Sequence, residues 1–309
     1  MTVLSQLSLP EFRVVQRGIQ AEPLAWSRRL FNFRPQGKQH LFVDLPFKQR
    51  YICIPTGHGV GKSYSVPVIV MLWAIAKAPC YVILSSADWV HVRSHLFSQL
   101  KQRMAQIPHP QSLLFKNLGE PGQELWRLGP GWEVIGISPN DAEVAAGWHC
   151  ENGTLAIIDE ASSIDAKVLT GLLTVNKSHR DCTILFGNPI RPDGEFANII
   201  LGDRVTEPWY VERISTEDNP NYQATLKAIK EGRLTHEQAV GDPLNGVEPQ
   251  EIITQYGLQT YSWVENMRKG GENSSEFQSR VRGNVPDESP DVFIPRSWIS
   301  GCHDASLDD

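Results

Sequence analysis

The sequence predicts an α/β fold: a mostly parallel central sheet flanked by helices, plus a small C-terminal subdomain. Three observations carry that expectation. Short apolar, β-branched runs alternate with longer segments of helical periodicity. The first of these runs leads into a glycine-rich turn. Two later runs end in polar residues, as strands do at the carboxyl edge of a parallel sheet, where ligands bind.

In chain order, residues 51–54 (Tyr-Ile-Cys-Ile) read as a strand, and 63–77 as the helix that follows the glycine-rich turn. Residues 81–84 form a second buried strand. Trp89, Val92, Leu96, Leu100 and Met104 then recur at helical spacing, which predicts an amphipathic helix over 88–106. Residues 124–128 and 132–137 flank Gly129-Pro130-Gly131 and read as a hairpin. Two core strands, 155–158 and 183–186, bracket a helical segment at 165–173, and 209–214 supplies a last strand. Beyond Asp218 the chain turns to polar helical stretches punctuated by Gly and Pro. The expected organisation is a core with an N-terminal extension at 1–215, a small lid or linker subdomain at 216–290, and a linker at 291–309.

Composition narrows the function classes. With 309 residues, 41% hydrophobic and 21% charged, the chain suits a globular protein with one large core or a core plus a smaller unit. The longest apolar candidate, 66–76, contains Pro67 and falls short of the ~18 residues that a membrane span needs. The N-terminus has no charged-then-apolar signal pattern. Five scattered cysteines (Cys53, Cys80, Cys150, Cys182, Cys302) without a CxxC spacing argue against a zinc site or a disulfide framework, and suit a reducing compartment. The net charge of -6 is unevenly placed. Residues 11–50 hold eight Lys/Arg against three Asp/Glu, a local +5 that leaves -11 elsewhere. That stretch reads either as a basic surface for phosphates or as an ordinary solvated face.

The chemistry concentrates in three strand ends. Thr56-Gly57-His58-Gly59-Val60-Gly61-Lys62-Ser63 lies between a strand and a helix, where backbone N–H groups converge on phosphate oxygens at the positive end of the helix. Lys62 would reach the β- and γ-phosphates, and the Ser63 hydroxyl would ligate Mg²⁺. The pattern GxxxxGK[ST] departs only at its first position, where Thr56 stands. Asp159 and Glu160 follow the apolar run 155–158 and supply a metal-holding carboxylate and a general base for the attacking water. Gly187-Asn188-Pro189 follows the run 183–186, where Asn188 can sense the γ-phosphate or its water; the same tripeptide is also a good turn.

Two other nucleotide readings fit poorly. Gly57-His58-Gly59-Val60-Gly61 lacks the GxGxxG spacing of a dehydrogenase, and His179 stands where a guanine-reading NKxD motif needs Asp. Adenine is therefore the expected base, and ATP with Mg²⁺ the expected cofactor pair.

Taken together, these pieces resemble the ATPase domain of the large terminase subunit, the DNA-packaging motor of tailed phages. The likeness runs from about Phe33 to Trp298. It rests on the phosphate loop and on Gly147-Trp148-His149 ahead of 157–162 (Ile-Ile-Asp-Glu-Ala-Ser). It continues through Phe186-Gly187-Asn188-Pro189, 214–220 (Ile-Ser-Thr-Glu-Asp-Asn-Pro) and 277–286 (Phe-Gln-Ser-Arg-Val-Arg-Gly-Asn-Val-Pro).

The resemblance implies a P-loop NTPase of the additional-strand type that moves double-stranded DNA into a procapsid. It implies a portal and a small terminase subunit as partners, a homo-oligomeric ring when docked, and a virus-encoded protein at the portal vertex in the host cytoplasm. By resemblance, Asn188 lies in the motif that couples hydrolysis to movement, Ser85-Ser86-Ala87 in a segment that contacts DNA or nucleotide, and Gln39 in the place of an adenine-recognising glutamine. Relatives often carry Arg where His58 and Ala146 stand here, so the cationic finger is expected from Arg127, Arg180, Arg191 or a neighbouring subunit, the last preferred. The nuclease domain of such subunits would begin about where this sequence stops. Asp304, Asp308 and Asp309 read as a frayed acidic tail, and no nuclease activity is expected. A helicase-like or remodelling ATPase, or a nucleotide-controlled assembly module with little hydrolysis, would share the same loop.

Overall fold

The computed structural model describes residues 8–109, 111, 115, 118–138, 147–202 and 208–287. Ala146, Cys302, the 291–309 linker and the three C-terminal aspartates lie outside them. Packing divides the chain into two compact units, one of 1–54, 61–186 and 207–212, the other of 55–60, 187–206 and 213–309.

The first unit is built on a seven-stranded sheet: β1 (Tyr51–Pro55), β2 (Tyr81–Ser85), β3 (Leu125–Gly129), β4 (Trp132–Ile137), β5 (Thr154–Ile158), β6 (Cys182–Gly187) and β7 (Tyr210–Val211). The order is β3-β4-β2-β5-β6-β1-β7. Pairs β2–β4, β2–β5, β5–β6 and β1–β7 are parallel, and the β3–β4 hairpin is antiparallel. β6 therefore separates the strand that leads into the glycine-rich turn from the strand that ends at Asp159. This is the additional-strand arrangement that the resemblance implies.

Every residue of β5 and β6 is buried, as expected of central parallel strands covered on both faces. Cys53, Cys80 and Cys182 are buried in this sheet region, and desolvation pushes each thiol well above its ordinary pKa. The last strand is shorter than the expected 209–214. Only Tyr210 and Val211 form the regular strand, in register with Ile52 and Cys53, and past Glu212 and Arg213 the pairing returns as a single parallel bridge between Ile214 and Thr56.

Helix Lys62–Ala76 is buried at every position from Ser65 onward. Helices Leu9–Ala21, Pro23–Phe31, His40–Asp44 and Ser98–Ala105 all pack on it. An apolar helix covered on all sides needs no hydrophilic face, which explains its lack of amphipathic patterning. Its last carbonyls are capped from outside. Gln16 Nε2 donates to the oxygens of Ile75 and Ala78, both at 3.2 Å, and Gln20 Nε2 to that of Ala76 at 2.8 Å.

The 88–106 expectation meets one correction. The helical run includes a π-helical turn at Val92–Phe97 between Trp89–His91 and Ser98–Ala105. The wider turn lets adjacent Leu96 and Phe97 both be buried, whereas Trp89 and Met104, apolar positions of the regular spacing, are only half-buried.

The second unit has its own core of Tyr222, Ala239, Val240, Tyr261, Val264, Phe277 and Val281. These come from helices Pro220–Lys230, His236–Val240, Tyr261–Arg268 and Ser275–Phe277, and from a π-helical turn at Gln278–Arg282. Asn219-Pro220 starts the first of them. The Asn219 side chain accepts the Tyr222 N–H at 3.0 Å, and proline occupies the first helical position, where no N–H is needed. The Asn219 amide also donates to the Gln259 carbonyl at 3.0 Å. Arg268 and Arg282 lie over the Phe277 ring, each 5.0 Å from its centre, and both pair with Glu217 and Glu272.

Because buried Asn219 serves both the cap and Gln259, Asn219→Ala is expected to destabilise the protein by about 2 kcal/mol. Asn219→Asp keeps the cap and should lose roughly half of that. Urea unfolding followed by circular dichroism measures both.

Candidate active site

The site begins where β1 runs into the glycine-rich turn. Gly61 adopts a left-handed conformation (φ 92°) that starts helix Lys62–Ala76 without a side-chain cap. The helix therefore presents its first-turn N–H groups at its positive end, a general arrangement for anions. Ser63 is exposed on this first turn, and Lys62 projects from it.

Within the first unit, Lys62 Nζ lies 3.6 Å from Asp159 Oδ1 and 3.6 Å from Glu160 Oε1. The local backbone explains how two consecutive carboxylates reach one ammonium. In a continuing strand, neighbouring side chains point to opposite faces. Asp159 still donates its N–H to the Ser85 carbonyl at 2.9 Å, as the last rung of the β2–β5 ladder. Glu160 then turns left-handed (φ 51°, ψ 39°), one of two non-glycine residues of positive φ among the described residues. Its N–H donates to Asp159 Oδ1 at 3.0 Å, which orients that carboxylate. Ser63 and Asp159 offer a hydroxyl and a carboxylate, hard oxygen donors of the kind that hold Mg²⁺ by one or two protein contacts alongside phosphates and water.

The other half of the loop belongs to the second unit, where its backbone is already engaged. The N–H groups of Thr56, Gly57 and His58 donate to the carbonyls of Gly187, Ile214 and Arg280 at 2.9, 2.8 and 2.7 Å. The expectation that the whole loop 56–63 turns its donors toward phosphate is corrected here: the N–H groups of 56–58 are engaged within the protein. A side chain at Gly57 would stand 2.2 Å from the Val281 oxygen and 2.3 Å from Thr216 Oγ1. Gly59 has φ 60° and lies against Gln259, and the Thr216 hydroxyl donates to the His58 carbonyl at 2.9 Å. Asn188 sits at the loop's first residue, where its Nδ2 donates to the Thr56 oxygen at 2.5 Å.

The remaining expected residues fall elsewhere. Gln39 is buried in a short 3₁₀ turn, and its Oε1 accepts the Gln36 N–H at 3.1 Å. Ser85 and Ser86 are buried, with Ser85 Oγ donating to the Ile137 carbonyl at 2.9 Å. Arg180 precedes β6, beside the start of β5, whereas Asp159 follows the end of β5; five residues of strand, roughly 16 Å, separate the two ends. Arg127 on β3 pairs with Glu133 at 3.3 Å. Neither arginine is placed to serve Lys62 within the same chain.

Sequence reasoning missed a cavity of about 260 Å³ beside Ser63, lined by Tyr64, Gln99, Gln102, Arg103 and Gln106. Tyr64 stacks on Phe33 at 4.9 Å, and the Arg103 guanidinium lies 4.8 Å from the Tyr64 ring centre while donating to the Phe31 carbonyl at 2.9 Å. Gln99, Gln102, Arg103 and Gln106 recur at i, i+3, i+4 and i+7, a polar stripe that the search for apolar periodicity passes over.

The left-handed Glu160 makes a stability prediction that is separable from activity. Glu160→Gly and Glu160→Ala both delete the carboxylate, but only glycine adopts φ 51° without penalty. Glu160→Gly is expected to be the more stable by about 1 kcal/mol in urea unfolding. The opposite order would mean that the left-handed turn is absent in solution.

No family model matches the chain. Over 175 residues, 54% of its length, the chain is 31% identical to a curated protein of Enterobacteria phage P7 called a probable terminase, large subunit. The chain spans only about a third of that relative, 35% of its length. The large terminase ATPase domain of Thermus phage P74-26 superposes with a TM-score of 0.54 at 12% identity, over 84% of this chain and 96% of that domain. A point mutant of the same domain gives 0.53 at 13% identity, over 83% and 96%. The chain therefore has the fold of a large-terminase ATPase domain, and its sequence is similar to part of a terminase large subunit.

Proposed function

We propose that this chain is a Mg-dependent ATPase whose hydrolysis drives double-stranded DNA into a viral procapsid. The observation that carries the reading is the meeting of Lys62 with both Asp159 and Glu160 at 3.6 Å. One ammonium set between two carboxylates at a helix N-terminus is poised to exchange those partners for phosphate oxygens. The fold likeness and the partial sequence likeness to terminases support the direction of that chemistry.

In this mechanism, Lys62 and the first-turn N–H groups bind and orient the β- and γ-phosphates. Ser63 and Asp159 would hold Mg²⁺, whose charge would neutralise that of the phosphate oxygens. Glu160, freed from Lys62, accepts a proton from the attacking water. Asn188 fixes the start of the loop through Thr56, so its coupling role is one of positioning. Thr56, Gly57 and His58 shape the loop, and Gly59, Val60 and Gly61 allow close approach of the triphosphate. Gln39 stands as the adenine-side residue of the proposal. The finger comes from a neighbouring copy in a ring docked on the portal with the small subunit, in the host cytoplasm. Residues 1–215 act as the core and 216–290 as the lid.

Glu160→Gln is expected to keep ATP binding and lower turnover by about 10²-fold or more, while Lys62→Ala loses binding as well. Duplex DNA and rising protein concentration should both raise the wild-type rate per chain. Equal hydrolysis by wild type and Glu160→Gln would instead favour a nucleotide-controlled assembly module with little hydrolysis.

A further inference from the structure

Helix Lys62–Ala76 carries the nucleotide site at its start, and a second polar cavity lies at its other end, roughly 22 Å away along the axis. This cavity, about 240 Å³, is lined by Gln16, Gln20, Lys77, Asn152 and Arg180. Lys77 is half-buried, its ammonium 5.3 Å from the centre of the Trp73 ring. Arg180 donates through Nη1 to the Glu151 carbonyl at 3.0 Å. Neither cation makes an ion pair among the described residues.

The ordinary task of cations here would be to cap the end of the helix. That task is taken: Gln16 and Gln20 satisfy the carbonyls of Ile75, Ala76 and Ala78, and Asn152 Nδ2 donates to that of Pro79 at 3.1 Å. The nearby acid in the chain, Asp181, is also committed, because its carboxylate accepts the N–H groups of Thr154, Lys177 and Ser178. Two like charges thus share one cavity without a direct ion-pair partner among the described residues, and Asp181 acts on Lys77 only from beyond ion-pair distance. Burial and the Arg180 charge both pull the Lys77 amine below its ordinary pKa, which an oxyanion would reverse.

The cavity continues onto a surface. Arg13, Gln16, Arg17 and Gln20 follow i, i+3, i+4 and i+7 on helix Leu9–Ala21 and so share one face. Both arginines are exposed, and neither makes an ion pair among the described residues. This face belongs to the basic stretch 11–50 in a chain that is otherwise acidic.

We propose that the cavity between Lys77 and Arg180 grips a backbone phosphate of duplex DNA, with Arg13 and Arg17 contacting neighbouring phosphates of the same track. The proposal rests on the DNA-translocating reading and adds to it a contact surface remote from the nucleotide. Contacts of this kind position the duplex without reading its sequence.

The test is anisotropy of a labelled random-sequence duplex, titrated with salt against the full chain. For Lys77→Gln/Arg180→Gln, affinity is expected to fall roughly three- to tenfold, and the slope of log K against log[salt] to become shallower by about 0.9, the loss of one phosphate contact. ATP turnover without DNA should be unchanged. Arg13→Gln/Arg17→Gln, on an exposed helix face, tests the same track should the pocket variant fail to fold, and should flatten the slope by about 1–2. Wild-type binding with unchanged slopes in both variants overturns the proposal while leaving the motor reading in place. A wild type that binds no duplex at any salt removes both. Calorimetric titration with inorganic phosphate separates the sources: phosphate binding lost in the pocket variant, with duplex binding intact, would make a free anion the occupant and overturn the DNA assignment.

Discussion

The arrangement depends on a single ammonium held between two carboxylates. Lys62 is delivered by the first turn of a helix, Asp159 by the last rung of a strand, and Glu160 by a backbone that leaves the strand in a left-handed step. Each delivery is imposed by structure around it. The helix is fixed because its whole apolar length is wrapped by other helices, and the strand because it is buried on both faces. The left-handed step is the one locally unfavourable element. Without it, Glu160 would face away from Asp159, and the two acids would not converge.

The Lys62 ion pairs also set the energetic problem for any incoming triphosphate. All three groups are partly shielded from water, their side chains 15%, 19% and 36% exposed, so their mutual attraction is stronger than that of a surface pair. An anion that displaces the carboxylates from Lys62 must bring compensating positive charge to them. On the proposed reading a hydrated divalent cation would do so, which would couple phosphate binding to metal binding.

Much of this was legible in the residues. Strands β1, β2, β5 and β6 show as apolar runs because they are central and buried, and β3 and β4 because a Gly-Pro-Gly turn joins them. Lys62, Ser63, Asp159 and Glu160 stand out because their chemistry needs a strand end and a glycine turn at fixed places in the chain. What stayed hidden depends on tertiary neighbours. The π-helical turn at Val92–Phe97 follows from what the helix packs on, and regular spacing cannot display an inserted residue. The engagement of Thr56, Gly57 and His58 is invisible because their acceptors lie far away in sequence. Lys77 and Arg180 likewise come together only through the fold.

The packing around Gly57 and Gly283 has a wider consequence. A side chain at Gly57 would meet the Val281 oxygen and Thr216; one at Gly283, which has φ 66°, would approach the carbonyl of Pro55 and the nitrogen of Gly57. Main chain meets main chain there, and a peptide carbonyl is chemically the same whichever amino acid bears it. Such a joint constrains few identities: two positions must lack a side chain, Thr216 supplies a hydroxyl, and the other contacts are peptide groups. A joint of that kind lets the surrounding sequence change while the architecture stays.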